Sequence, residues 1–353
     1  MGRISNKEGS NIWLNLLYHD DGVDHYGGNT CSLIGKMGSG KSTLIVQIAE
    51  YTRYCQHCSK EDYIDYMYGD PDRDFHVIPQ GFEETVIWRG RKYDYWNCLI
   101  PRNWNKSFPR YAFNAKNVVL HTHVDDELSF YHKVAGKEYN VPMLPEIYEY
   151  KSSADLFQNI EQGAINVVYE PQVYMLPPTL IKRLKAKRME SKTKEQYEEE
   201  SGEEDYIQVP PPVFWFEFVD HLLDKKGDEF YSIMMDEFHQ VCPSNALGDM
   251  WHLIDWFAAS FLDIRKNNVS LYVSTHSTTL VDWRILDRMG HFIWLPGSRT
   301  SRKNSMVYPH VITKLTKGQG IIEEAVKKFG IFNFSRINKQ PPLVRVNGMS
   351  NIL

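Results

Sequence analysis

The stretch CSLIGKMGSGKSTLIVQIAE, residues 31–50, runs from an apolar strand through a glycine-rich turn into an apolar-striped helix. Gly35, Lys36, Met37, Gly38, Ser39, Gly40, Lys41 and Ser42 spell G-x-x-x-x-G-K-[ST] in full. The motif needs a strand before it and a helix after it, and both are present, the helix opening at Thr43. Glycines let backbone amides turn inward around an anion, and the start of the helix aims its positive dipole end at the same hollow. Lys41 is then placed to reach the β- and γ-phosphates of ATP, and Ser42 to offer a hydroxyl to Mg2+. A glycine-rich turn with no phosphate to hold has no need of the Lys-Ser pair, so the stretch predicts nucleotide binding.

Working outward, the chain of 353 residues exceeds an ordinary single domain, which predicts one large α/β domain carrying an insertion or a small accessory unit. A net charge of -5 excludes a globally basic nucleic-acid coat but leaves room for a local basic track. Five cysteines, an odd number with no secretory leader read ahead of them, predict a reducing, cytoplasmic setting over a disulfide framework. No window approaches the length of apolar sequence that a membrane-spanning helix requires, so no membrane segment is expected.

The second half of a nucleotide site is read at residues 230–237, FYSIMMDE, an apolar strand that ends in two carboxylates. A P-loop enzyme needs an acid at the end of a neighbouring strand to hold the metal, and a second one to position or deprotonate the attacking water. Asp236 fits the first role and Glu237 the second. The second acid favours hydrolysis over phosphoryl transfer to a small acceptor. Residues 250–264 then predict a helix, Arg265 and Lys266 close it, and residues 269–273 predict a strand that ends in Ser274, Thr275 and His276.

This order of P-loop, Asp-Glu, a helix closing in Arg-Lys and a strand ending in a polar sensor resembles the FtsK/HerA superfamily of DNA-pumping ATPases. The likeness covers residues 28–54 and 228–297. It implies an α/β P-loop NTPase fold of the RecA/FtsK type, with a mostly parallel central sheet flanked by helices and an insertion of uncertain fold. It also implies a homo-oligomeric ring, usually a hexamer, that moves double-stranded DNA and docks on a portal, capsid or pore protein, as viral genome-packaging motors do. Thr275 and His276 take the sensor position, where the superfamily usually carries Thr-Gln. His276 is expected to hydrogen-bond a γ-phosphate or water as a titratable donor. Arg265 matches the position from which an arginine reaches a neighbouring subunit's nucleotide, and a helix-end arginine favoured by the dipole is the competing reading. Arg299 and Arg302 are runners-up. Residues 279–286 resemble the helix that follows the sensor.

The chain divides on this reading into 1–54, the P-loop half; 55–210, an accessory region; 211–335, the half bearing the acids and sensor; and 336–353, a tail. Within 55–210, residues 84–88, 117–121 and 165–169 predict strands. Cys55 and Cys58, with His76 and Cys98, offer thiolates and an imidazole for zinc without matching a standard finger, and His121, His123 and His132 offer a weaker set. Residues 182–205 are almost wholly charged, which reads as a solvated helix or loop, or as a basic contact to phosphate backbone. Residues 214–225 and 318–328 predict helices. Three other readings remain open. A secretion or morphogenesis ATPase of the zonular-occludens-toxin type shares the core, an ABC- or SMC-like ATPase is suggested by His276 and by residues 315–319, and a nucleotide kinase shares the P-loop.

Overall fold

The structure, a computed structural model, describes residues 28–45, 48–49, 84–90, 93–94, 118–126, 129–134, 137–140, 146–191, 207–224, 229–299, 305, 307–324, 329–334 and 343–347. Cys55, Cys58, His76, Cys98 and Arg302 lie outside the described residues, so the zinc reading at the two cysteines does too. The strands are β1 (Thr30–Ile34), β2 (Thr85–Arg89), β3 (Tyr93–Asp94), β4 (Val118–His123), β5 (Ser129–Val134), β6 (Lys137–Asn140), β7 (Glu146–Tyr150) and β8 (Ile165–Val168). They continue as β9 (Tyr174–Met175), β10 (Gln208–Val209), β11 (Tyr231–Met235), β12 (Val269–Thr275), β13 (His291–Trp294), β14 (Gln319–Glu324), β15 (Phe329–Asn333) and β16 (Leu343–Asn347). Residues 41–45 and 48–49 are helical. The helices beyond them are α1 (Ser153–Asn159), α2 (Pro178–Ser191), α3 (Phe214–Leu223), α4 (Asp249–Ile264), α5 (Trp283–Leu286) and α6 (Pro309–Ile312).

Ten strands form one sheet in the order β15-β14-β13-β1-β12-β11-β2-β8-β4-β7. From β13 to β7 every pairing is parallel, and β14 and β15 add an antiparallel edge. A parallel sheet must bury both faces, and the sequence supplies apolar residues at successive positions to do so. Ile34, Ile87, Ile233, Met235, Leu271, Val273 and Trp294 share one apolar cluster with α3 and α4. The alternate residues Leu33, Trp88, Met234, Tyr272 and Ile293 are buried outside that cluster, as are Leu44, Ile45 and Ile48 of the P-loop helix. Two apolar layers follow from the strand period of two.

The helices on the clustered face are locked by aromatic packing. Phe216 of α3 stacks on Phe257 of α4 at 4.5 Å between ring centroids. Each such side chain, fully buried, contributes roughly 1.5–3 kcal/mol. Pro210 to Pro212 lead into α3 through a 3-10 turn, where a missing backbone N–H costs nothing because helix-starting amides have no intrahelical partner. Residues 178–191 form α2, with Leu180, Ile181 and Leu184 buried and Lys182 exposed, so the amino-terminal part of the charged segment is a packed helix with a solvated face. Residues 192–206 lie outside the description.

Four expectations are corrected. Residues 318–328 read as a helix, but Gln319–Glu324 pair antiparallel with β13 and β15. β-Branched Ile321 and Ile322 favour the strand, Gly320 packs its bare backbone on the Phe332 ring, and Glu323 accepts from Trp294 Nε1 in the core. The tail at 336–353 contains β16, which joins β3, β5 and β6 in a second, four-stranded sheet through pairing with β5 and β3. The helix expected at 279–286 is a 3-10 turn, Thr278–Leu280, followed by the four-residue α5. Lastly, β2, β4, β7 and β8 come from the stretch read as accessory and continue the main sheet, with β2 hydrogen-bonded directly to β11.

Candidate active site

Strand order and register decide where the chemistry collects. β12 lies between β1 and β11, pairing Ile34 with Thr275 on one side and Met235 with Val273 on the other. The carboxyl ends of three adjacent parallel strands therefore deliver Gly35, Asp236 and Ser274 to one edge. Ligands of open parallel sheets bind at that edge.

The P-loop turns there as its sequence demands. Gly38 and Gly40 take φ of 76° and 103°, values that L side chains rarely adopt. Lys36, Met37 and Gly38 are exposed at the tip, and Ser39 and Lys41 are buried. Ser39 Oγ is buried without a hydrogen-bond partner among the described residues, a polar atom inside a loop whose amides suit an anion. Gly35 N donates to Thr275 O at 3.2 Å, and Leu44 N to Gly40 O at 2.9 Å, which fixes the loop between the sensor strand and its helix. Thr43 sits in the first turn of that helix, half-buried.

Lys41 Nζ donates to Gly35 O at 2.8 Å and Lys36 O at 3.3 Å, and meets His276 Nδ1 at 3.0 Å. Ser42 Oγ donates to Asp236 Oδ2 at 2.9 Å. Asp236 Oδ1 accepts from Ser274 Oγ and from the Glu237 amide. Ser42 and Asp236 make an all-oxygen donor pair of the kind a hard cation such as Mg2+ takes, so the residues present fit that ion.

Glu237 adopts a left-handed backbone, φ 53° and ψ 47°, which costs a non-glycine residue of order 1–3 kcal/mol and persists only where the surroundings enforce it. Its carboxylate lies between two imidazoles, with Oε1 3.1 Å from His276 Nε2 and Oε2 3.4 Å from His239 Nδ1. The strand end and this kink together carry a carboxylate held beside the phosphate loop.

Lys41, Ser42, Asp236, Glu237 and His276 are thus brought together. Thr275 is buried beside them, but its hydroxyl donates to Ser277 O and its carbonyl holds Gly35 N. Arg265 is not part of the group. It opens the 3-10 turn at the amino end of β12, and the seven residues of that strand span about 20 Å to the opposite edge. Arg299 is exposed after β13, two residues past Gly297, which lies against the Lys36 side chain. Two residues escaped the sequence reading. Ser274 reads in the sequence only as a small residue before the sensor, although strand alternation sets it on the face opposite Thr275, where it meets Asp236. His239 belongs to no motif, and only the turn after Glu237 returns it to that carboxylate.

Of the weaker histidine set, His121 and His123 have protein partners. His121 Nε2 meets Asn166 Oδ1 at 2.9 Å and His123 Nε2 meets Lys151 O at 3.2 Å. No group of three or more metal-ligating side chains converges among the described residues. Burial pushes the His121 imidazole down to about 4. Next to the site, Arg89 at the end of β2 forms a buried two-pronged pair with Glu170 at 2.7 and 2.8 Å. Trp215 Nε1 donates to the same Glu170 carboxylate at 2.6 Å, and Arg89 reaches Gln240, three residues past Glu237, at 3.4 Å. Among the described residues, no helix is long and apolar enough to cross a membrane.

No protein-family model matches the chain, and no curated protein matches it. Solved structures do resemble it. One is the genome packaging NTPase B204 from Sulfolobus turreted icosahedral virus 2 in complex with ATP-gammaS, at 10% identity and TM-score 0.34, over 88% of this chain and 98% of that one. Another is the N-terminal domain of zonular occludens toxin from Neisseria meningitidis, at 11% identity and TM-score 0.32, over 88% and 96%. A third is the cytoplasmic domain of the Thermomonospora curvata type VII secretion ATPase EccC, at 10% identity and TM-score 0.36, over 93% of this chain and 28% of that one. At these identities and TM-scores the likenesses carry no role, substrate or partner across. The chain has a large, mostly parallel sheet flanked by helices, with the glycine-rich loop at the carboxyl end of β1.

Proposed function

We propose that this chain is an ATP-hydrolysing motor that moves double-stranded DNA, working as a homo-oligomeric ring on the cytoplasmic side of a portal, capsid or pore protein. The observation that carries the hydrolytic part is the convergence of Lys41, Ser42, Asp236 and Glu237 on one sheet edge from two distant segments. The P-loop amides and Lys41 bind the triphosphate. Ser42 and Asp236 would hold Mg2+, which supplies charge neutralisation at the phosphate oxygens. Glu237 takes a proton from water as the water oxygen bonds the γ-phosphorus and the bond to the β,γ-bridging oxygen breaks, leaving ADP and phosphate. His276 senses the γ-phosphate or the water. Arg265, at the sheet edge opposite the site of its own subunit, acts on a neighbour's nucleotide. The DNA part rests on the motif order and on the exposed basic residues of α2.

The test is ATP turnover by the purified protein with and without duplex DNA across a salt series. Stimulation by DNA that weakens with salt at a log-log slope of about -0.9 per phosphate contact supports the motor. Turnover indifferent to DNA and salt overturns the DNA part and favours a secretion-type role. Lys41→Ala should abolish nucleotide binding. Glu237→Gln should retain binding and slow turnover by about 10²–10⁴-fold. Phosphorylated acceptor in place of free phosphate would identify a kinase instead.

A further inference from the structure

His276 does more in this arrangement than face a phosphate. Its two ring nitrogens touch the two residues on which the hydrolytic reading depends, Lys41 through Nδ1 at 3.0 Å and Glu237 through Nε2 at 3.1 Å. An ammonium group has donors and no acceptor, so Nδ1 must accept from Lys41. The neutral ring then carries its proton on Nε2, which faces Glu237 Oε1 at 3.1 Å. Lys41 therefore donates to His276, and the protonated ring nitrogen of His276 faces the Glu237 carboxylate. His239 stands by the second carboxylate oxygen at 3.4 Å, with its ring centroid 6.0 Å from that of His276.

We infer that His276 is a positioning residue that tethers Lys41 to Glu237, so that capture of a triphosphate by Lys41 is transmitted to the carboxylate that handles water. Charged phosphate oxygens form hydrogen bonds roughly twice as strong as neutral acceptors do, and they draw Lys41 Nζ from Nδ1. Nδ1 loses its donor, and the ring that oriented Glu237 is free to turn. Glu237 keeps His239 at its other oxygen and is released on one side only. The left-handed backbone at Glu237 holds the carboxylate within reach of both rings. The inference rests on the ATP-hydrolysing reading of the site and adds a coupling path that the motifs do not contain. A Gln at this position could both accept from Lys41 and donate to Glu237, whereas Ala could do neither.

Two measurements test it. In protein labelled with ¹⁵N-histidine, the His276 ring is identified by the loss of its signals in His276→Gln. The tether predicts the Nε2–H tautomer with an acceptor Nδ1, and a shift of the Nδ1 resonance in Lys41→Met. An Nδ1–H tautomer, or a ring unmoved in Lys41→Met, overturns it. For the second, His276→Ala should bind a nonhydrolysable ATP analogue as well as the parent or about 3- to 10-fold more tightly, the worth of one hydrogen bond no longer competing for Lys41, while kcat falls. His276→Gln should return both values toward the parent. Parallel loss of binding and turnover in His276→Ala, or a Gln variant that behaves like Ala, overturns the tether and leaves a plain structural role. A parent protein that binds no ATP would defeat the hydrolytic reading, and the tautomer and its response to Lys41→Met would still decide the tether.

Discussion

Gly35 opens the P-loop at the point where β1 ends, and its size is dictated by the neighbouring strand. A Cβ placed there would lie 2.4 Å from Ser39 Oγ and 2.8 Å from Leu295 Cβ. Carbon atoms sit comfortably at about 3.5–4.0 Å, so Gly35→Ala requires a displacement of roughly 1 Å. Leu295 cannot give way freely because its amide donates to Ile34 O at 2.8 Å, tying the end of β13 to β1. Overpacking of this kind costs about 1–3 kcal/mol net of the methyl group's burial. Because the same displacement moves the loop amides, affinity for a nonhydrolysable ATP analogue should fall about tenfold or more. Urea denaturation and analogue binding would be measured for Gly35→Ala, Ser39→Gly and the double variant. Ser39→Gly removes the Oγ contact and leaves the Leu295 contact, so the double variant should recover at least about 0.5 kcal/mol relative to additivity. Gly290→Ala is the control, since the nearest atom to its Cβ is 3.6 Å away and its stability should be unchanged or up to about 1 kcal/mol higher. A stable Gly35→Ala that binds normally, or strict additivity with Ser39→Gly, would refute the packing argument.

Arg89→Met should destabilise the chain by about 3–5 kcal/mol, because it strands the buried Glu170 carboxylate. Adding Glu170→Gln, which can still accept from Trp215, should restore most of that loss, and equal urea midpoints for the single and double variants would contradict it. His121, with its pKa pushed down to about 4, makes the unfolded chain the better proton binder between pH 4 and 6.5. Its contribution is complete above pH 6.5 and is lost as pH falls toward 4, up to about 3 kcal/mol from that single group. His121→Asn should flatten this part of the pH–stability curve in denaturation at pH 7 and pH 5, and an unchanged slope would rule the group out.

Sequence reading reached the site because each half is written as a continuous string. Gly35 to Ser42 must be contiguous to wrap one phosphate chain, and Asp236 and Glu237 must directly follow an apolar strand to stand at its carboxyl end. The same locality exposed α3 and α4, whose apolar periodicity is dense over ten and sixteen residues. It failed at 318–328, where EEAVKK has the composition of a helix and the deciding interactions, pairing with β13 and the Trp294–Glu323 bond, come from elsewhere in the chain. It failed likewise at β16, and at 84–88, 117–121 and 165–169 it found the strands β2, β4 and β8 without placing them in the main sheet, because their partners are distant in the chain.

What the sequence determined by itself is the identity of the groups at the nucleotide edge and the strand–turn–helix that presents them, because covalent adjacency and dihedral preference are local properties. Only the tertiary structure decided which groups touch. The placement of β12 between β1 and β11 puts Ser274 on Asp236 and His276 between Lys41 and Glu237, and the left-handed turn at Glu237 returns His239 to its carboxylate. Those contacts depend on strand order and register, which follow from the burial of the whole sheet and which no short stretch of the chain encodes.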